Sequence, residues 1–161
     1  MKIITVATSR HKGTPKSLVE SAFLREGYGI DGDAHAGDWH RQVSLLAWER
    51  IEEARNHGLE VSAGDFAENI ATMGIDWKTV PVGSRFSLGE SAIIEITQLG
   101  KECHNRCAIY YRNGDCIMPR EGVFAKVLKG GSIRPGDNIS LINGPVSVSP
   151  WPERSPEDTQ V

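Results

Sequence analysis

Three cysteines, Cys103, Cys107 and Cys116, fall within one stretch, Gln98 to Asp137, together with Lys101, His104, Arg106, Arg112 and Arg120. The thiolate is the nucleophilic and metal-binding form of cysteine, and neighbouring cations favour it, drawing the thiol pKa below its reference of about 8.5. A cysteine is equally at home as a small buried hydrophobe, so it is the cations that turn this stretch toward chemistry. The spacing Cys103-x3-Cys107-x8-Cys116, with His104 beside the first thiol, offers enough ligands for a tetrahedral zinc site but lacks the paired knuckles of the usual zinc motifs. An iron–sulfur cluster calls for four cysteines in a tighter frame, and a thioredoxin-like dithiol for C-x-x-C. What remains is a nucleophilic or ligating thiolate, Cys103 or Cys107, in a cationic pocket, with a structural zinc as its rival.

Three further stretches carry polar chemistry. Ser9 to Lys16, SRHKGTPK, gathers Arg10, Lys12 and Lys16 around Gly13 and Pro15, a basic loop able to dock a phosphate or carboxylate, although it lacks the GxxxxGK[ST] spacing of a P-loop. Gly29 to Arg41, GIDGDAHAGDWHR, would project Asp31, Asp33 and His35 to one side if extended. That set suits a divalent ion, but Gln42 stands where a calcium loop needs glutamate, so contacts to loop backbone or to a polar ligand are the stronger expectation. In Ser62 to Ile70, SAGDFAENI, the apolar Phe66 and Ile70 flank Glu68 and Asn69. An asparagine there can donate and accept at once, as reading a heterocycle edge requires, or it can cap a turn beginning at Thr72.

The elements that must position these groups are mostly strands. Lys2 to Ala7 is β-branched and alternating, and Ser17 to Leu24, Gln42 to Leu46, Gly83 to Leu88, Ala92 to Gln98, Val123 to Leu128 and Asn138 to Ile142 follow as short strands divided by glycine-rich turns. Ala47 to His57 places Ala47, Trp48, Ile51 and Ala54 at helical spacing, with His57 suited to the negative end of the helix dipole and Gly58 to the cap. Many short strands with few helices predict a mainly β fold with α insertions, a barrel or sandwich. One domain over residues 1–142 is expected, followed by a mobile tail over 143–161 rich in Pro, Ser and acidic residues.

At 161 residues the chain is long enough for one continuous core without disulfide or metal support. Its 18 Lys and Arg against 21 Asp and Glu, a net charge of −3, give no overall field for nucleic acid or an anionic membrane surface. Anion binding must therefore be local. No apolar run reaches the roughly 20 residues that span a bilayer, and the N-terminus has no signal-peptide core, so a cytoplasmic setting is expected. An odd cysteine count there favours thiols or ligands over a disulfide framework.

Taken together, SRHKGTPK, GIDGDAHAG followed by RQVSLL, GDFAENI, VGSRFSLGESAIIEITQLGKEC and MPREGVFAKVLKGGSIRPGD resemble the MOSC domain, named for its place at the C-terminus of molybdenum cofactor sulfurases. Each motif alone is weak, but their order and spacing over residues 1–142 make the set specific. The resemblance, to the small stand-alone bacterial type, implies a β-barrel that binds, carries or sulfurates the molybdenum cofactor (molybdopterin), a pterin with a dithiolene-bound metal and a terminal phosphate. By that resemblance Cys103 carries a persulfide or ligates molybdenum, Cys107 is the second candidate and Cys116 a supporting thiol. Lys12, Lys16, Arg41 and Arg120 are implied for the phosphate, and Asp33, His35, Glu68 and Asn69 for the pterin. Sulfur transfer is the implied activity, and a non-catalytic module delivering the intact cofactor is the alternative. A sulfur donor, a cofactor-biosynthesis protein or a molybdoenzyme would be its partner. The pyridoxal-phosphate desulfurase domain of the large sulfurases has no counterpart here, so that cofactor is not expected on this chain alone.

Overall fold

A computed structural model describes residues 1–101, 109, 113–114 and 116–142. Cys103, Cys107 and the expected tail over 143–161 lie outside the described residues. The strands are β1 (Lys2–Thr8), β2 (Ser17–Val19), β3 (Ala22–Arg25), β4 (Gly29–Ile30), β5 (Val43–Ala47), β6 (Ile70–Met73), β7 (Arg85–Leu88), β8 (Ala92–Leu99), β9 (Val123–Lys129), β10 (Gly131–Ile133) and β11 (Ile139–Leu141). Two α-helices, α1 (Trp48–Asn56) and the short α2 (Met118–Glu121), and a 3-10 turn at Trp77–Thr79 complete the described elements. The chain is mainly β, as its short alternating segments predict.

Eight strands form one sheet in the order β11-β7-β8-β9-β5-β6-β1-β2, and β10-β3-β4 form a second. Every neighbouring pair is antiparallel except β5 and β6, which run parallel with Leu45 opposite Ile70 and Ala47 opposite Thr72. The crossover between those two strands contains α1, as a parallel connection requires. The segment entering β11 at one edge of the large sheet reaches β1, next to the other edge, through an isolated bridge between Lys2 and Asn138, with Ile3 N–H donating to Asp137 O at 2.8 Å and Ile139 N–H to Met1 O at 3.0 Å. One bridge is not a ladder, and a closed barrel is not found among the described residues.

Side chains alternate across the strands and so build two cores. On one face Val43, Leu45 and Ala47 of β5, Ile70 of β6, and Val123, Ala125 and Val127 of β9 join Ile3, Ile94 and Ile96 in the first core. On the other, Leu46, Ala71 and Phe124 meet Ile51 and Ala54 of α1 together with Val61, Phe66, Ile109, Ile117 and Met118. The helix expected at Ala47 to His57 therefore forms, and its apolar stripe closes the second core.

Two local expectations are corrected. Ser17 to Leu24 is not one strand: β2 pairs with β1 while β3 pairs with β10 in the other sheet, the chain crossing between them at Glu20 and Ser21. Nor does a turn begin at Thr72, because parallel pairing with β5 draws residues 70–73 into the sheet and buries the Thr72 hydroxyl as the acceptor for Trp77 Nε1–H at 2.9 Å.

Candidate functional site

Asp33 joins the basic loop to the GDAHAG segment. Lys16 Nζ lies 2.8 Å from Asp33 Oδ1, and neither side chain is exposed to solvent. The same Oδ1 accepts the Ser9 N–H at 3.0 Å, and Oδ2 accepts the His35 N–H at 2.9 Å. Burial alone would raise this carboxyl, but the hydrogen bonds from His35 and Lys16 outweigh it and hold it well below the usual carboxylate range. Lys16 also donates to Ser9 Oγ at 2.9 Å, so its ammonium is committed to the protein and ties the basic loop to the GDAHAG segment.

His35, Trp39, Lys12 and Arg41 build outward from that anchor. Trp39 Nε1–H donates to the His35 carbonyl at 2.7 Å, and the two rings lie parallel with centroids 6.5 Å apart. Lys12 Nζ stands 4.6 Å from the Trp39 ring centroid and the Arg41 guanidinium 4.7 Å from it. Arg41 also lies 5.5 Å from the ring of Phe124, which belongs to the second core. Each cation–π contact stabilises by about 0.5–2 kcal/mol, yet two positive charges against one indole repel each other. An anion between them relieves that repulsion.

Three buried polar atoms here lack a hydrogen-bond partner among the described residues: His35 Nδ1, Arg41 Nε and Glu68 Oε1. His35 Nδ1 is 3.7 Å from Asp33 Oδ2, beyond hydrogen-bond reach. Such orphans are uncommon in folded proteins, and each asks for a partner that the protein itself does not supply. Glu68 is buried, its Oε2 accepting the Gly64 N–H at 2.5 Å. Burial pushes its carboxyl up to about 7. Gly64 is irreplaceable in this link, because at φ +90° a Cβ would stand 2.3 Å from Lys16 O, whose own N–H donates to Gly64 O at 2.8 Å. Glu68 and the Lys16–Asp33 pair are thus joined through one tight backbone contact.

The remaining sequence candidates fall in other settings. Asn69 is fully buried, its Oδ1 accepting the Ser44 N–H at 2.9 Å and its Nδ2 donating to Ala7 O at 3.0 Å, so its amide stitches β5 to β1. Arg120 stands on α2 and lines a cavity with residues of the first core. Cys116 is half-buried against the second core, where Ile109 is also buried. Cys116 and Ile109 both pack on the core that holds Phe124. Trp39 was not singled out from sequence, although an indole two residues before Arg41 is the composition a cation–π cluster needs.

The MOSC domain family model matches residues 31–140, which contain the GDAHAG segment, Glu68 and the cysteine stretch. The chain belongs to the MOSC domain family. Among solved structures this MOSC domain is similar to the YUAD protein from Bacillus subtilis, at 19% identity and a TM-score of 0.71 over 87% of this chain and 94% of that one. It is also similar to YiiM from Escherichia coli, at 21% identity and a TM-score of 0.64 over 89% of this chain and 71% of that one. YiiM from Geobacillus stearothermophilus matches at 19% identity and a TM-score of 0.65, over 90% and 75% of the respective chains. At these identities the likeness establishes the MOSC fold. No curated protein matches the sequence.

Proposed function

We propose that this MOSC domain binds the molybdenum cofactor on the second-core face of its large sheet. The observation that carries the reading is the pair of cations, Lys12 and Arg41, gathered against Trp39 with the unpartnered atoms His35 Nδ1 and Arg41 Nε, and Glu68 Oε1 is unpartnered as well. A pterin bearing a phosphate fits that donor and acceptor set. The phosphate oxygens suit Lys12 and the Arg41 guanidinium fork, while the heterocycle offers N–H groups to Glu68 Oε1 and an edge to His35. Lys16 and Asp33 hold the two loops that present these groups rather than meeting the ligand themselves. When bound, the cofactor supplies a dithiolene-held metal centre.

The thiolate role falls to Cys103 first and Cys107 second. Both lie outside the described residues; before them Gly100 N–H donates to Gly122 O at 2.7 Å, and after them Ile109 is buried in the second core. Cysteine substitution separates sulfur transfer from plain delivery. We expect wild-type protein exposed to a persulfide donor to take its outer sulfane sulfur, the donor leaving as a thiolate, and to gain a persulfide by intact-mass spectrometry, and Cys103→Ala to lose it while Cys107→Ala retains it. If the double variant still holds the pterin and no persulfide forms in the wild type, the domain delivers intact cofactor instead.

A further inference from the structure

We infer that a β-bulge at Thr97 and Gln98 positions the Arg41 guanidinium for the anionic end of the ligand. The inference rests on the proposed cofactor reading and adds to it two residues of β8. Along the β8–β9 ladder Ile96 stands opposite Ala125 and Gln98 opposite Phe124, so Thr97 is an extra residue with no counterpart in β9. Bulges of this kind bend the strand and re-aim its side chains, and they concentrate beside functional sites.

Successive side chains of a regular strand point to opposite faces, yet here Thr97 and Gln98 both serve His40. The Thr97 hydroxyl donates to the His40 carbonyl and lies 3.2 Å from the Phe124 carbonyl. Gln98 Nε2–H donates to Gly100 O at 2.8 Å, which turns its Oε1 toward His40 Nε2, also at 2.8 Å. An amide oxygen only accepts, so the proton of that bond sits on His40 Nε2.

What the bulge holds is the frame of Arg41. The His40 carbonyl belongs to the peptide bond that leads into Arg41. The His40 ring meets Trp39 edge-on, with centroids 5.9 Å apart, and Trp39 and Phe124 are the two rings against which the guanidinium stands. Thr97 and Gln98 therefore reach the backbone before Arg41, one ring through His40 and the other through the Phe124 carbonyl. The buried Arg41 Nε meets no acceptor among the described residues, so this side chain is placed by its neighbours and its donor stays available. A guanidinium ordered in advance binds an anion without losing rotamer freedom at that moment.

Thr97→Val removes the hydroxyl at nearly constant shape, and Thr97→Ser keeps it. Dissociation constants of the full chain for the molybdenum cofactor, read from retained pterin fluorescence over a concentration series, should be about three- to tenfold weaker in Thr97→Val and near wild type in Thr97→Ser. In an Arg41→Ala background Thr97→Val should cost nothing further, whereas a hydroxyl that only stabilises the fold would cost the same in both. Nitrogen-15 relaxation at Arg41 Nε reads the positioning with no ligand present: ordered in wild type and Thr97→Ser, mobile in Thr97→Val. Should Thr97→Val not fold, Gln98→Leu takes its place in each comparison. Unchanged Nε order, unchanged affinity, or a loss that adds in full to that of Arg41→Ala would overturn the inference. Failure of the wild type to retain cofactor overturns the proposed function instead, and the relaxation comparison still decides whether the bulge positions Arg41.

Discussion

Lys16→Met is expected to destabilise the domain by about 3–5 kcal/mol, because it strands the Asp33 carboxylate in a place where neither partner of the pair touches solvent. For a domain whose whole stability is about 5–15 kcal/mol, that is about a fifth of the total or more. The cost comes from the unpaired buried charge rather than from the lost methylenes, since methionine fills most of the same volume. Adding Asp33→Asn to Lys16→Met should therefore restore part of it. Asparagine removes the charge while its Oδ1 still accepts from Ser9 N–H, which Asp33 now serves at 3.0 Å. Urea unfolding of the three proteins checks both statements through the midpoint at constant slope. A single substitution costing under about 1 kcal/mol would mean that solvent reaches the pair. The pair also fixes the acid limb: Asp33 is depressed in the folded state, so its contribution is present above the unfolded value of about 3.9 and is lost as pH falls below it.

Glu68 acts in the opposite sense. Its carboxyl is raised to about 7 in the folded protein from the ordinary 4.5, so between those values the folded state binds more protons than the unfolded one. Stability must then fall as pH rises through that window. The shift corresponds to about 3 kcal/mol, most of it lost between pH 5 and pH 8. Glu68→Gln keeps an acceptor for Gly64 N–H but carries no ionisable group. Its unfolding free energy should be nearly flat over that range where the wild type declines by about 2–3 kcal/mol, making the variant the more stable protein at pH 8. Parallel profiles for the two proteins would contradict the buried, unpaired carboxyl. A ligand donating to Oε1 would stabilise the carboxylate, so cofactor binding near neutral pH should release a proton from wild type and not from Glu68→Gln.

The strands and the helix were legible because hydrophobic periodicity reports burial, and here most elements bury one defined face. The parallel β5–β6 pair was not, since Ile70 to Met73 is too short to show a period and is made a strand only by its neighbour. The division of Ser17 to Leu24 between two sheets is likewise decided by partners far along the chain. At the site, the basic loop offered Lys12 and Lys16 alike for the cofactor's phosphate, and the sequence could not divide them. Both are lysines in one loop. Only tertiary placement commits Lys16 to Asp33 and leaves Lys12 against Trp39. Asn69 shows the same limit, because a residue type suited to reading a heterocycle is equally suited to joining β5 to β1, and its burial settles it on backbone partners.

The central claim is that the Lys12–Trp39–Arg41 cluster holds the cofactor's anionic end. The most direct test is to incubate the purified domain with the molybdenum cofactor, remove the excess, and measure retained pterin by fluorescence and molybdenum by elemental analysis. Wild type should retain both near one per chain, and Lys12→Ala with Arg41→Ala should lose the pterin along with the metal while the protein stays folded. Failure of the wild type to retain either, or undiminished retention by the cation variant, would contradict the account.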